Sequence, residues 1–145
     1  MELIAEMQTR AGEVEVARAG STKAQWTGRI MSGLVIVFLT LDAAAKLARL
    51  PPVLEGTAKL GYPTTVVFGL GAVLLAGVVV HAIPRTALLG AIVLTGYLGG
   101  AVATHVRVGD PLLTHTLFPV YVGILMWGGL TLRDARLRAA LWARG

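Results

Sequence analysis

Four long apolar stretches, separated by short polar or proline-bearing gaps, organise this chain. The first covers residues 30–50, opening on Ile30-Met31-Ser32-Gly33-Leu34-Val35 and closing in alanine-rich turns that hold Asp42 and Lys46. Pro51-Pro52 ends it, because proline has no N–H for the helix and its ring clashes with the preceding turn. A polar connector over 53–63 carries Glu55, Lys59 and the turn Gly61-Tyr62-Pro63. The second stretch, 64–83, has His81 as its only ionisable group and stops at Pro84-Arg85. The third, 86–105, starts at once, so the second and third must be antiparallel neighbours. A loop over 106–116, with Arg107, Gly109-Asp110-Pro111 and His115, leads to the fourth stretch at 117–132, which a start at Leu112 would lengthen.

About twenty residues at roughly 1.5 Å each cross a hydrocarbon core of about 30 Å. None of the stretches alternates with period two, and a membrane barrel needs many such alternating segments. The pattern predicts an all-α fold, an integral membrane four-helix bundle over residues 29–138. Residues 1–28, where glutamates alternate with Arg10, Arg18 and Lys23 and where Gly12 and Gly20 interrupt any helix, read as a soluble, partly disordered cytoplasmic tail. Residues 139–145 read as a cytoplasmic C-terminal end. The tail lacks the short basic segment and immediate apolar run of a secretory signal, so the first stretch is expected to be retained.

Composition strengthens this picture. Of 145 residues, 55% are apolar and only 14% charged, against roughly a quarter charged in a soluble domain. So few charges could not cover a water-facing surface, and the lipid bilayer is the first partner implied. The net charge of +5 comes from basic residues scattered between apolar runs, which excludes nucleic acid as a partner, since phosphate binding needs clustered Lys and Arg. There is no cysteine, so thiol chemistry, disulfides and Cys-type zinc sites are excluded, and electrons in any redox role would travel on a partner or a bound cofactor.

Charge also sets an orientation. Arg10, Arg18, Lys23, Arg29, Arg85, Arg133, Arg136, Arg138 and Arg144 share one side of a four-span topology, while Lys46, Arg49, Lys59 and Arg107 take the other. Basic residues favour the cytoplasm, so both termini are expected inside the cell (inner) membrane. Close helix packing is expected through small residues, Gly90, Gly96, Gly99, Gly100, Ala101 and Ala103 of the third span, with Gly96 and Gly100 spaced as GxxxG, against Gly69, Ala72 and Ala76 of the second. The same groove could instead serve a homo-oligomer.

The polar groups inside the spans carry whatever chemistry there is. Asp42 and Lys46 stand one helical turn apart and can pair, either in a protein-lined cavity or at the interface with the lysine snorkelling outward. With the first and third spans both running outward, the topology gathers Asp42, Lys46, His105, Arg107, Asp110 and His115 toward one membrane face, with Tyr97 and Thr104 on the same helix as His105. Asp42, Lys46, Tyr97, Thr104, His105 and Arg107 are therefore the candidate ligand-binding residues, Asp42 and His105 sharing one pocket with His105 and Tyr97 as hydrogen-bond donors. His81, without charged neighbours in sequence, reads as a structural histidine. No HExxH, DxxD or phosphate-loop motif is present, and the spacing of the His and Asp residues specifies no metal.

The stretches Asp42-Ala-Ala-Ala-Lys46-Leu47, Leu60-Gly61-Tyr62-Pro63 and Ile83-Pro84-Arg85-Thr86, together with Leu94-Thr95-Gly96-Tyr97-Leu98-Gly99-Gly100-Ala101-Val102-Ala103-Thr104-His105-Val106-Arg107 and the closing 132–138 segment, resemble the DoxX-like family of small bacterial four-helix membrane proteins. The resemblance covers about residues 27–142. It implies subunits of quinone-linked oxidoreductases, thiosulfate oxidation among them, and membrane partners of oxidative-stress systems. Many relatives carry a glutamate in the second span, where residues 69–80 of this chain hold no acid.

The reading that follows is a non-catalytic subunit or anchor of a membrane-associated redox system with a redox-enzyme partner. The alternative is a site for a small molecule, a quinone or another lipid-soluble compound, in an outer-face pocket; no other cofactor is evident. A transporter is disfavoured, because four spans without an inverted repeat or broken helix pair supply little machinery for alternating access.

Overall fold

In a computed structural model the described residues run over 2–142, so Arg144 lies outside them. The described residues form six α-helices: α1 (Glu2–Leu47), α2 (Pro51–Lys59), α3 (Val67–Ala82), α4 (Ala87–Val108), α5 (Phe118–Arg133) and α6 (Ala135–Trp142). A 3₁₀ turn at Thr64–Val66 leads into α3 and a π-helical turn at Leu112–Thr116 leads into α5. Among the described residues, four segments are long and apolar enough to cross a membrane, Thr22–Leu47, Thr64–Ala82, Ala87–Val108 and Leu112–Arg133. The fold is all-α, with no strand among the described residues.

Each span packs beside its neighbours in sequence, α1 on α3, α3 on α4 and α4 on α5, and α5 closes the ring on α1. That places α1 and α4 diagonally across the bundle. The core between them is Leu39, Ala43, Leu74, Ala91, Leu94 and Met126, all close to fully buried. Large apolar side chains such as Leu34, Phe68, Ile92 and Ile124 point outward instead, as a lipid-facing surface requires.

One expectation about local structure fails. Gly12 and Gly20 do not interrupt α1, which is continuous through both; a glycine costs a helix only about 1 kcal/mol relative to alanine, too little to break one. The 53–63 connector is largely helical. Pro51-Pro52 stops α1 and then occupies the first turn of α2, where the missing N–H costs nothing and the fixed φ suits the helix.

The small-residue seam is likewise not where GxxxG spacing put it. A Cβ added at Gly69, Gly96 or Gly100 would meet nothing within 4 Å. Of the expected seam residues Gly90 does make a close approach, on the His81 backbone, and further approaches are made by Gly71 on Ala43 and Lys46 and by Gly129 on Ser32. These contacts draw α3 to α4, α1 to α3 and α1 to α5. The space beside Gly96 and Gly100 is left open.

Candidate functional site

That opening is a cavity of about 750 Å³, inside the roughly 300–1,000 Å³ range of small-molecule sites. It lies at the end of the bundle where α1 and α4 finish and α3 and α5 begin. Its floor and walls are apolar, with Leu39, Leu70, Leu98 and Val122 among the lining side chains. Phe38 and Phe118 form an edge-to-face ring pair on one wall, centroids 5.6 Å apart at 68°. One face of α2 (Val53, Gly56, Thr57 and Leu60) lies over the opening. Positions spaced three and four apart share a helix face, which is how so short a helix can roof a cavity.

Polar groups gather in this cavity. Asp42, Lys46, Tyr97, Thr104 and His105 all line it, so α1 and α4 contribute across the diagonal. Lys46 Nζ donates to Asp42 Oδ1 within α1, one helical turn away. Both side chains are largely withdrawn from solvent, at 16% and 35% exposure for Lys46 and Asp42. The pair thus neutralises itself at the cavity wall, which offsets the cost of holding either charge there alone.

The pair has a testable consequence. Lys46→Met or Asp42→Asn alone leaves a charge or its partner unmatched and should each destabilise the detergent-solubilised protein by about 1–2 kcal/mol, below the 3–5 kcal/mol of a fully buried pair. Asp42→Leu with Lys46→Met should recover most of that loss. Thermal unfolding of the three variants decides it: additive losses would mean that the two side chains are not coupled.

His105 owes its setting to the end of α4. Gly109 adopts a left-handed conformation, φ +74°, its N–H bonding to Val106 O and that of Asp110 to His105 O, a Schellman closure. The reversal brings the Asp110 carboxylate back onto the ring, Oδ2 to Nδ1 at 2.6 Å. A carboxylate can only accept, so Nδ1 carries the proton and, in the neutral ring, Nε2 is left with its lone pair. With the ring neutral, His105 thus offers a ligand an acceptor at Nε2, whereas the imidazolium would donate from both nitrogens. His115 stands nearby, ring centroids 6.2 Å apart, but does not line the cavity.

Arg107 is not in the cavity either. Its guanidinium donates to Leu60 O at 2.5 Å and sits 5.3 Å from the Tyr62 ring, clamping the turn after α2. Tyr62 closes the same junction: Thr104 Oγ1 donates to Gly100 O at 2.9 Å, so the 3.1 Å contact between the two hydroxyls has Tyr62 as donor. Tyr62, Thr57, Phe38 and Phe118 line the cavity without having been singled out from the sequence. The α2 residues could have been found from the three-and-four spacing of positions 53, 56, 57 and 60.

At the opposite end of the bundle His81 is fully buried, with Nδ1 2.9 Å from Ala87 O, and packs under Gly90. That bond spans the α3–α4 turn and gives His81 a structural role. No group of three or more His, Asp or Glu side chains able to hold a metal ion occurs among the described residues.

A family model described as the DoxX-like family matches residues 30–129. No curated protein and no solved structure matches the chain.

Proposed function

This chain belongs to the DoxX-like family, and on that premise we propose that it is a multi-pass protein of the cell (inner) membrane that holds a lipid-soluble small molecule in the cavity between α1 and α4. A quinone-class compound is the occupant that agrees with the role the family resemblance implies. The observation that carries this reading is the combination in one cavity of an apolar, aromatic-walled body with a polar cluster formed by Asp42, Lys46, Tyr97, Thr104 and His105. An amphiphile needs both: burial for its body and directed hydrogen bonds for its head. Holding the molecule requires no chemistry from the chain, so the protein acts as a non-catalytic membrane component of a redox system.

The test is affinity purification in mild detergent followed by solvent extraction. A lipid-soluble compound other than bulk phospholipid should be retained in near-stoichiometric amount. An extract containing phospholipid alone would overturn the reading.

A second reading, the anchor that recruits a redox enzyme, has its own observation. A shallow groove of about 340 Å³ runs outward between α4 and α5, floored by Gly99 and Gly123 and edged by Trp127. Trp127 Nε1 donates to Thr95 Oγ1 at 2.9 Å, which holds the indole at that edge. Small residues in an outward groove admit the close approach of a partner helix. A stoichiometric protein in the same purification supports it.

The nine-to-four division of Lys and Arg supports both termini being cytoplasmic. Reporter fusions at each end should give cytoplasmic signals, and the cavity then opens toward the outer face. An external C-terminus would invert that assignment.

A further inference from the structure

We infer that the cavity selects hydroxyl-bearing aromatic amphiphiles, molecules that donate a hydrogen bond to His105 Nε2, over otherwise identical molecules that cannot donate. This deepens the proposed binding function and rests on it. Asp110 fixes the tautomer. Its Oδ2 lies 2.6 Å from His105 Nδ1, the Schellman turn at Gly109 holds it there, and the proton must lie on Nδ1 because the carboxylate has none to give. Nε2 takes part in no hydrogen bond found among the described residues, while the ring lines the cavity. It is an acceptor without a donor.

Its neighbour on α4 has the same polarity. Thr104 spends its proton on Gly100 O and receives that of Tyr62, so toward the cavity it too can only accept. Lys46 gives one of its three N–H donors to Asp42 within its own helix, and the Tyr97 hydroxyl also lines the cavity, so donors are present on the Asp42 side and the acceptor polarity is local to His105 and Thr104. A phenolic O–H, such as the quinol form of a quinone-class occupant carries, completes Nε2, whereas a methyl ether or a carbonyl, that of the oxidised quinone included, sets lone pair against lone pair and leaves the nitrogen unpaired. A site shaped to receive a hydroxyl discriminates strongly against the analogue that lacks it, because its own polar atom is then left unsatisfied. The aromatic body follows from the Phe38 and Phe118 rings on the wall, which favour offset or edge contact with another ring.

The probes are 4-dodecylphenol and its methyl ether, titrated at pH 8 against the full chain in lipid nanodiscs, with uptake by protein-free nanodiscs subtracted. The wild-type protein should bind the phenol at least about tenfold more tightly than the ether. His105→Phe should erase the difference. Asp110→Asn, whose amide can either donate or accept and so frees the tautomer, should shrink it while leaving the ring and the cavity in place. Asp110 is a positioning residue, and its effect on the phenol-to-ether ratio is one that a merely structural contribution to α4 would not produce. Equal binding of both probes by the wild type would overturn the selection rule but leave the cavity as a binding site. Failure of both probes to bind above the nanodisc background would overturn the rule and the binding function together.

Discussion

Gly90→Ala should destabilise the protein by about 3 kcal/mol or more, while Gly96→Ala, six residues along the same helix, should be neutral or slightly stabilising. A Cβ at Gly90 would stand 2.2 Å from His81 N and 2.4 Å from His81 Cα. Those are backbone atoms, which no rotamer change can move aside. Overpacking of a tight core contact usually costs about 1–3 kcal/mol, and here relief requires separating two helices. The separation would also pull on the Nδ1 bond from His81 to Ala87 O that ties the α3–α4 turn together. Against this, alanine gains about 1 kcal/mol over glycine in helix propensity. At Gly96, where nothing lies within 4 Å of the added atom, only that gain remains. Thermal unfolding of the two variants in the same detergent measures the contrast. Equal stabilities would mean that α3 and α4 do not meet at Gly90.

The four spans were legible because lipid leaves a crossing segment so few options. Backbone groups must be satisfied within the segment, so an uncharged run of about twenty residues has to be a helix, and Pro51, Pro63 and Pro84 punctuate the runs. Azimuth was not legible. GxxxG spacing says that Gly96 and Gly100 share a face but not which way that face turns, and it turns to the cavity, whereas Gly90, outside the motif, meets a neighbouring helix.

The site divides along the same line. Asp42 with Lys46 and His105 with Asp110 could be read locally, the first from a one-turn separation and the second from residues gathered within six positions, a closeness that the Gly109 turn explains. That α1 and α4 bring their polar ends to the same depth followed from topology alone. Arg107 misled because adjacency in sequence is not adjacency on a helix: two positions from His105 it points to another side and reaches the α2 turn. Phe38 and Phe118 could not be told from lipid-facing aromatics, since only the packing of α1 against α5 brings them together.

Filling the cavity should abolish ligand retention without unfolding the protein, and the same open glycines make this feasible. Gly96 and Gly100 are one turn apart, line the cavity together and have no heavy atom within 4 Å of an added Cβ. Gly96→Phe with Gly100→Phe therefore places two benzyl groups in the space that the ligand would occupy. Neither ring has to displace backbone, so unfolding should shift by no more than about 1 kcal/mol, in contrast to Gly90→Ala. Retention of the extracted compound should fall by at least about tenfold, equivalent to ~1.4 kcal/mol of binding free energy. Gly99→Phe is the matched control. Gly99 is equally open but lines the outward groove between α4 and α5, so this ring leaves the cavity empty and blocks the groove instead. It should spare the small molecule and displace any protein partner seated there. A compound that stays bound through Gly96→Phe with Gly100→Phe but is lost with Gly99→Phe would move the ligand out of the bundle and onto its lipid-facing surface.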